Sequence, residues 1–141
     1  MEKVSKFAFL FPGQGSQEIG MGSQLARNFS SAKYIFEEAD TILGFPISKI
    51  AWQGPDSDLN DTINTQPALF VTSYAIFQVL KEQFPYITPE FIAGHSMGEL
   101  TTLASSGAAS FKDGLQLTRR RGELMKSAGS LMPGKMAAIL G

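Results

Sequence analysis

The chain has no cysteine and only one histidine and one tryptophan among its 141 residues. Without cysteine there is no disulfide framework, no thiol nucleophile and no thiolate metal site. One imidazole with scattered carboxylates also argues against a zinc centre. Excess charge of either sign is lacking: 12 Lys and Arg against 13 Asp and Glu leave a net charge of −1. That balance argues against a nucleic-acid binder held by bulk electrostatics. No apolar run approaches membrane-spanning length, and no repeat or low-complexity linker interrupts the chain. Residues Met1–Lys6 lead directly into an expected strand, without the apolar core and cleavage site of a signal peptide. The default expectation is a cytoplasmic protein the size of one ordinary domain, long enough to bury a core.

What is present alternates between strand-like and helix-like segments. Phe7–Phe11 is a short apolar run, as expected of a strand buried on both faces. It stops at Pro12 and opens into Gly13-Gln14-Gly15-Ser16-Gln17. Helices are expected over Ser23–Phe29 and Ser31–Leu43, the second ended by Gly44. Gly54–Asp58 reads as a turn into a short helix with an acidic start. Pro67 suits a first helical position, and the helix it would open, running to Gln83, is apolar on most sides and so belongs in the core. Pro85 and Pro89 precede a strand at Phe91–Ala93; Ser110 caps a helix to about Ser127; Met136–Leu140 reads as a further strand. This order argues for a parallel sheet covered by helices. Ligands in such sheets bind beyond the carboxyl ends of the strands. The glycine-bearing segments after Phe11 and after Ala93 both lie at such ends and could share one rim.

The second of these segments is Gly94-His95-Ser96-Met97-Gly98. Glycines on either side of a serine, between a strand and a helix, allow a turn sharp enough to lift the hydroxyl clear. Ser96 is the candidate nucleophile; the alternative is an ordinary strand–helix turn whose small residues permit close packing. His95, being adjacent on a tight turn, should point elsewhere, which leaves the nucleophile without a base in this chain. The backbone N–H of Met97 is the expected oxyanion donor at the helix start. Gln14 is the candidate for a second donor, against a plain strand-end turn. Its loop lacks the lysine of a phosphate loop and the third glycine of a dinucleotide fingerprint.

Arg121 stands apart from its neighbours. Leu117, Arg121 and Leu124 fall at i, i+4 and i+7, putting the arginine on an apolar stripe flanked by Met125 and Ala128. Arg119 and Arg120 read as a solvated basic face. A buried arginine needs an anion, and its planar fork could hold a substrate carboxylate through two parallel hydrogen bonds. The competing reading pairs it with one of the chain's own carboxylates.

Together these residues resemble the malonyl-CoA:acyl carrier protein transacylases and the acyltransferase domains of fatty acid and polyketide synthases. The resemblance rests on Phe9-Leu10-Phe11-Pro12-Gly13-Gln14-Gly15-Ser16-Gln17, Asn64-Thr65-Gln66-Pro67-Ala68-Leu69, Gly94–Glu99, Arg121-Gly122 with Met125, and Met136-Ala137-Ala138-Ile139. It implies an α/β-hydrolase-like large subdomain over residues 1–132. Residues 133–141 would be the first strand of a ferredoxin-like small subdomain. By resemblance Ser96 carries malonate as an ester, the N–H groups of Gln14 and Met97 form the oxyanion hole, and Arg121 binds the free malonyl carboxylate. Gln66 matches a glutamine near the pocket. Met97 stands where methylmalonate-selective polyketide domains often have Gln, which favours malonate. The implied partners are a coenzyme A thioester and acyl carrier protein, with no metal or cofactor, no nucleic acid and no membrane. Members run to about twice this length, with the general-base histidine in the part absent here. The expectation is therefore a fragment, inactive or nearly so alone. Two other functions stand beside this one: a serine esterase or patatin-like lipase sharing the elbow, and a non-catalytic fragment binding coenzyme A or carrier protein.

Overall fold

The structure, a computed structural model, describes residues 6–132 together with Gly134 and Ile139. The expected strand at 136–140, and with it the subdomain boundary after residue 132, falls outside that set, Ile139 apart. The elements run β1 (Ala8–Phe11), α1 (Ser23–Asn28), α2 (Ser30–Leu43), α3 (Ile47–Gln53), α4 (Asp56–Asn60), α5 (Thr62–Gln83), β2 (Phe91–Gly94), α6 (Gly98–Ser105) and α7 (Phe111–Leu131).

The two strands pair in parallel, with Ala8 opposite Phe91 and Phe11 opposite Gly94. Both therefore end at the same level, and the loops that follow leave from one rim. His95 N–H donates to Phe11 C=O at 2.9 Å, carrying the pairing one residue past the strand. The helices cover one side of this sheet: Phe9 and Phe11 meet Phe77 of α5 edge-on, with ring centroids 5.9 and 6.1 Å apart. Contrary to the expectation of burial on both faces, Leu10 and Phe91 are 77% and 71% exposed. In a parallel pair, alternate residues of both strands share a face. The Leu10 and Phe91 face has no cover among the described residues.

The centre of the molecule is α5, buried without interruption from Thr65 to Ser73. A helix apolar all round has to lie inside, and Phe36, Ile47, Leu59 and Leu115 share the core cluster with it. α5 starts five residues earlier than Pro67 implies: Asp61 caps it, accepting from Ile63 N–H, and Pro67 lies inside the helix. A proline there donates no bond to the carbonyl four residues back, that of Ile63. Arg119 of α7 fills the gap, donating from Nη1 to Ile63 C=O at 3.2 Å. That tertiary bond satisfies the carbonyl that the proline leaves open.

α3 is absent from the sequence expectation, and its start is also held from a distance. The Asp40 carboxylate of α2 accepts from Ser48 N–H at 2.9 Å and from Ser48 Oγ at 2.5 Å. Ser110 does cap α7 as expected, its Oγ accepting from Asp113 N–H at 3.0 Å. The helix continues past Ser127 to Leu131, and it buries Gly114, Leu115, Thr118 and Gly122 instead of the Leu117–Leu124 stripe. Among the described residues no helix is long and apolar enough to cross a membrane.

Candidate active site

The turn after β2 is as tight as the two glycines imply. A Cβ on Gly94 would lie 2.0 Å from the Gly98 carbonyl carbon, and one on Gly98 would lie 2.5 Å from Phe11 O. Ser96 has φ of 56°, the one positive value among non-glycine residues described here. Such a left-handed serine costs roughly 1–3 kcal/mol and persists only where its surroundings hold it. Holding it are Gly98 N–H to His95 C=O at 2.9 Å and Glu99 N–H to Ser96 C=O at 3.1 Å. Ser96 is exposed, whereas the Met97 side chain is fully buried beneath it.

The loop after β1 packs directly against this turn. A Cβ on Gly13 would sit 2.7 Å from both Nδ1 and the backbone oxygen of His95. Among the described residues, neither Gln14 N–H nor Met97 N–H donates to a protein acceptor. The loop itself is braced from its own side chains. Gln17 Oε1 accepts from Gly15 N–H at 2.8 Å, and Gln17 Nε2 donates to Asn60 Oδ1 of α4 at 2.6 Å.

Arg121 reaches the serine across this rim. Its Nη2 donates to Ser96 Oγ at 3.0 Å and its Nη1 to Gln66 Oε1 at 2.7 Å. Gln66 is fully buried; its Nε2 donates to Thr62 Oγ1 at 3.0 Å and contacts Met125 Sδ at 3.2 Å. Thr62 Oγ1 in turn donates to Gln14 Oε1 at 2.9 Å. One run of hydrogen bonds thus joins Ser96, Arg121, Gln66, Thr62 and Gln14. Gly122 makes the crossing possible: a Cβ there would lie 2.8 Å from Thr62 O, so α7 touches the backbone of α5 at that point.

The charge balance differs between neighbouring arginines. Glu123 accepts from Arg119 at 3.1 Å and from Arg120 at 3.2 Å. Its carboxyl lies below the ordinary value, first through the Arg120 hydrogen bond and then that of Arg119. Arg121 pairs with no carboxylate among the described residues. The competing sequence reading, a structural ion pair, is therefore not what these residues form. Arg121 does not lie on a buried apolar stripe, contrary to the expectation from helical spacing. Leu117 and Leu124 are exposed and the arginine is half-buried, because α7 turns Thr118 and Gly122 inward.

Arg119 and Thr62 take roles that the sequence pattern does not predict. Arg119 is not simply solvated: besides Ile63 and Glu123 it holds Asn64 Oδ1 at 3.0 Å and lies over the Phe45 ring at 4.9 Å. Thr62 was passed over because α5 was expected to begin at Pro67. With the start at Thr62, that residue and Gln66 stand at i and i+4 on one helix face. His95 forms no hydrogen bond with Ser96 among the described residues; the serine oxygen faces Arg121. No group of His, Asp and Glu suited to a metal ion occurs among the described residues.

Comparison with known proteins puts this arrangement in a family. Residues 8–140 match the acyl transferase domain. The malonyl CoA-acyl carrier protein transacylase of Bacillus subtilis (strain 168) is 49% identical over 138 residues, 98% of this chain and 43% of that protein. An acyl carrier protein S-malonyltransferase structure from Vibrio cholerae superposes with a TM-score of 0.83 at 44% identity, covering 88% of this chain and 40% of that one. A type II polyketide acyl carrier protein in complex with its malonyl-transacylase gives 0.84 at 43% identity, with 88% and 40% covered. The chain thus spans less than half the length of these relatives. The family model spans nearly the whole chain and the superpositions cover 88% of it, and the chain belongs to the acyl transferase domain family.

Proposed function

We propose that this chain supplies the nucleophile and the carboxylate-binding group for moving a malonyl unit from malonyl-CoA to the phosphopantetheine thiol of acyl carrier protein, in fatty acid or polyketide synthesis. The observation that carries the reading is Arg121 Nη2 at 3.0 Å from Ser96 Oγ, on a guanidinium that pairs with no carboxylate among the described residues. A cation beside the nucleophile suits an acyl group ending in a carboxylate. A neutral ester or a lipid tail has no use for it, which disfavours the esterase and lipase reading.

In the first half-reaction Ser96 Oγ attacks the thioester carbonyl, its proton passes to a base, and the tetrahedral oxyanion collapses with cleavage of the C–S bond. Coenzyme A leaves and malonate remains as a Ser96 ester. The N–H groups of Gln14 and Met97 are the oxyanion donors in this scheme; their lack of protein acceptors among the described residues supports the assignment. Arg121 holds the distal carboxylate with its fork while Gln66 fixes the guanidinium plane. In the second half-reaction the carrier thiol takes the acyl group and Ser96 regains its proton. Acyl exchange is redox-neutral, and we assign no cofactor and a cytoplasmic setting. The base is assigned outside this chain, because His95 packs toward Gly13; residues 1–141 alone should therefore turn over slowly or not at all.

The test is a chimera in which residues 1–141 replace the matching part of the Bacillus subtilis relative. Mixed with malonyl-CoA, it should gain one malonyl group, mapped to Ser96 by peptide mass and absent in Ser96→Ala. Arg121→Ala should lower malonyl transfer tens-fold more than acetyl transfer, since a desolvated two-pronged contact is worth on the order of 2–5 kcal/mol. Label persisting in Ser96→Ala, or equal losses for both donors, would overturn the assignment.

A further inference from the structure

Arginine can only donate hydrogen bonds, and that fixes the direction of every bond behind it. Gln66 must turn Oε1 toward Arg121 Nη1, which sends Nε2 to Thr62 Oγ1. The threonine oxygen, now an acceptor, has one proton left, and it goes to Gln14 Oε1. The sequence of donors therefore runs one way, from the guanidinium at Ser96 to the loop after β1, and the threonine hydroxyl is the point where it passes between them. No other residue type of that size offers both an acceptor and a donor on a β-branched frame. Thr62 is itself firmly mounted. It follows the capping Asp61, which Lys126 grips at 2.5 Å, and its carbonyl lies against Gly122 of α7.

Resting on the function proposed above, we propose that Thr62 is a positioning residue. It sets the orientation of the Gln66 carboxamide, and through it the Arg121 guanidinium, while tying the Gln14 loop to the same scaffold. It touches no reacting atom. Its loss should appear as a loss of discrimination for a charged acyl group more than as a loss of the fold.

Two measurements decide this. In the 141-residue chain itself, side-chain nitrogen–proton NMR spectra report the Gln66 carboxamide and the Arg121 guanidinium. Thr62→Val keeps the shape and removes the hydroxyl; it should shift both sets of signals, although the Thr62 hydroxyl bonds Gln66 and Gln14 and not Arg121. Thr62→Ser should leave both near their original positions. An unmoved Arg121 in Thr62→Val, or a serine variant that behaves like the valine one, overturns the proposal. In the chimera, Thr62→Val should lower the preference for malonyl over acetyl transfer about tenfold, the size expected when one bond is lost and its partners go unpaired. The loss should fall mainly on KM for malonyl-CoA, Thr62→Ser should restore it, and the effect should vanish in an Arg121→Ala background. Equal losses for both donors, or a loss that adds to that of Arg121→Ala, count against it. A chimera that transfers no malonyl at all removes the proposed function, and the NMR result still judges Thr62.

Discussion

The helical layer and the strand rim use similar residues to opposite ends. Phe36, Ile47, Leu59, Phe70 and Leu115 are each sealed among helices. Leu10 and Phe91 on the strands, and Leu117 and Leu124 on the outer side of α7, stand in solvent. The first set holds the fold; the second is left uncovered among the described residues. Substitutions at the sealed and at the exposed apolar positions should therefore differ sharply in their cost to stability.

The largest contrast lies between two phenylalanines. Phe70 is fully buried; Phe111 packs on it at 5.6 Å and a Cβ on Gly114 would lie 2.7 Å from its ring. Phe70→Ala should cost about 3–5 kcal/mol in urea unfolding, by lost transfer energy and the cavity left behind. Phe91→Ala should change stability by less than about 0.5 kcal/mol, as exposed positions generally do. Similar costs for the two would break the comparison and show that the strand face is covered in solution. Sedimentation would then reveal whether copies of the chain cover it.

A second pair of substitutions sharpens the boundary along a single helix. Gly122 lies where α7 crosses α5, with a Cβ position 3.0 Å from Ile63 Cα, whereas a Cβ on Gly129 meets nothing within 4 Å. Gly122→Ala should destabilise by about 1–3 kcal/mol through overpacking against backbone that cannot yield. It should also draw Arg121 away from Gln66. Gly129→Ala should stabilise by roughly 0.5–1 kcal/mol, because alanine loses less backbone freedom in a helix. Two losses of equal size would mean that the described exposure of the α7 end does not hold in solution.

What could be read from the sequence follows the same division. The serine turn was legible because its glycines are a local requirement: Gly94 and Gly98 leave no room for a side chain, and the need shows in the spacing itself. The order of strands and helices was legible from apolar runs. The start of α5 was not, because the Ile63 carbonyl that Pro67 leaves without its helical donor is met by Arg119, 56 positions from Ile63. α3 was missed for the same reason, its first turn being held by Asp40 of another helix. The inward face of α7 was misassigned because Thr118 and Gly122 are chosen by the close approach of α5 and not by hydrophobicity. Thr62 then vanished from view, since its partners Gln14 and Gln66 come together only when α5 starts where it does.

The smallest expected effect tests the anchor on which the two regions meet. Asp61 caps α5 and its carboxylate pairs with Lys126 of α7 at 2.5 Å. The carboxyl lies below its ordinary value, chiefly through the Lys126 hydrogen bond, with Ile63 N–H and the charges of Lys126 and Arg119 adding to the effect against a small burial penalty. The ionised form is thus favoured more strongly in the folded chain than in the unfolded one. Its contribution is complete above the unfolded value of about 3.9 and fades as pH falls through the lower folded value. Asp61→Asn keeps a capping oxygen and removes the charge. Because both partners are partly exposed, the variant should lose only about 0.2–1 kcal/mol near neutral pH, and less in concentrated salt. That gap should stay level between about pH 5 and 8 and close in more acid solution, measured by urea unfolding at each pH. A gap that stays the same size however far the pH is lowered would assign the effect to the geometry of the cap and not to its charge. In that case the α5–α7 junction owes nothing to this ion pair and rests on the other contacts between the two helices, those of Arg119, Arg121 and Gly122 among them.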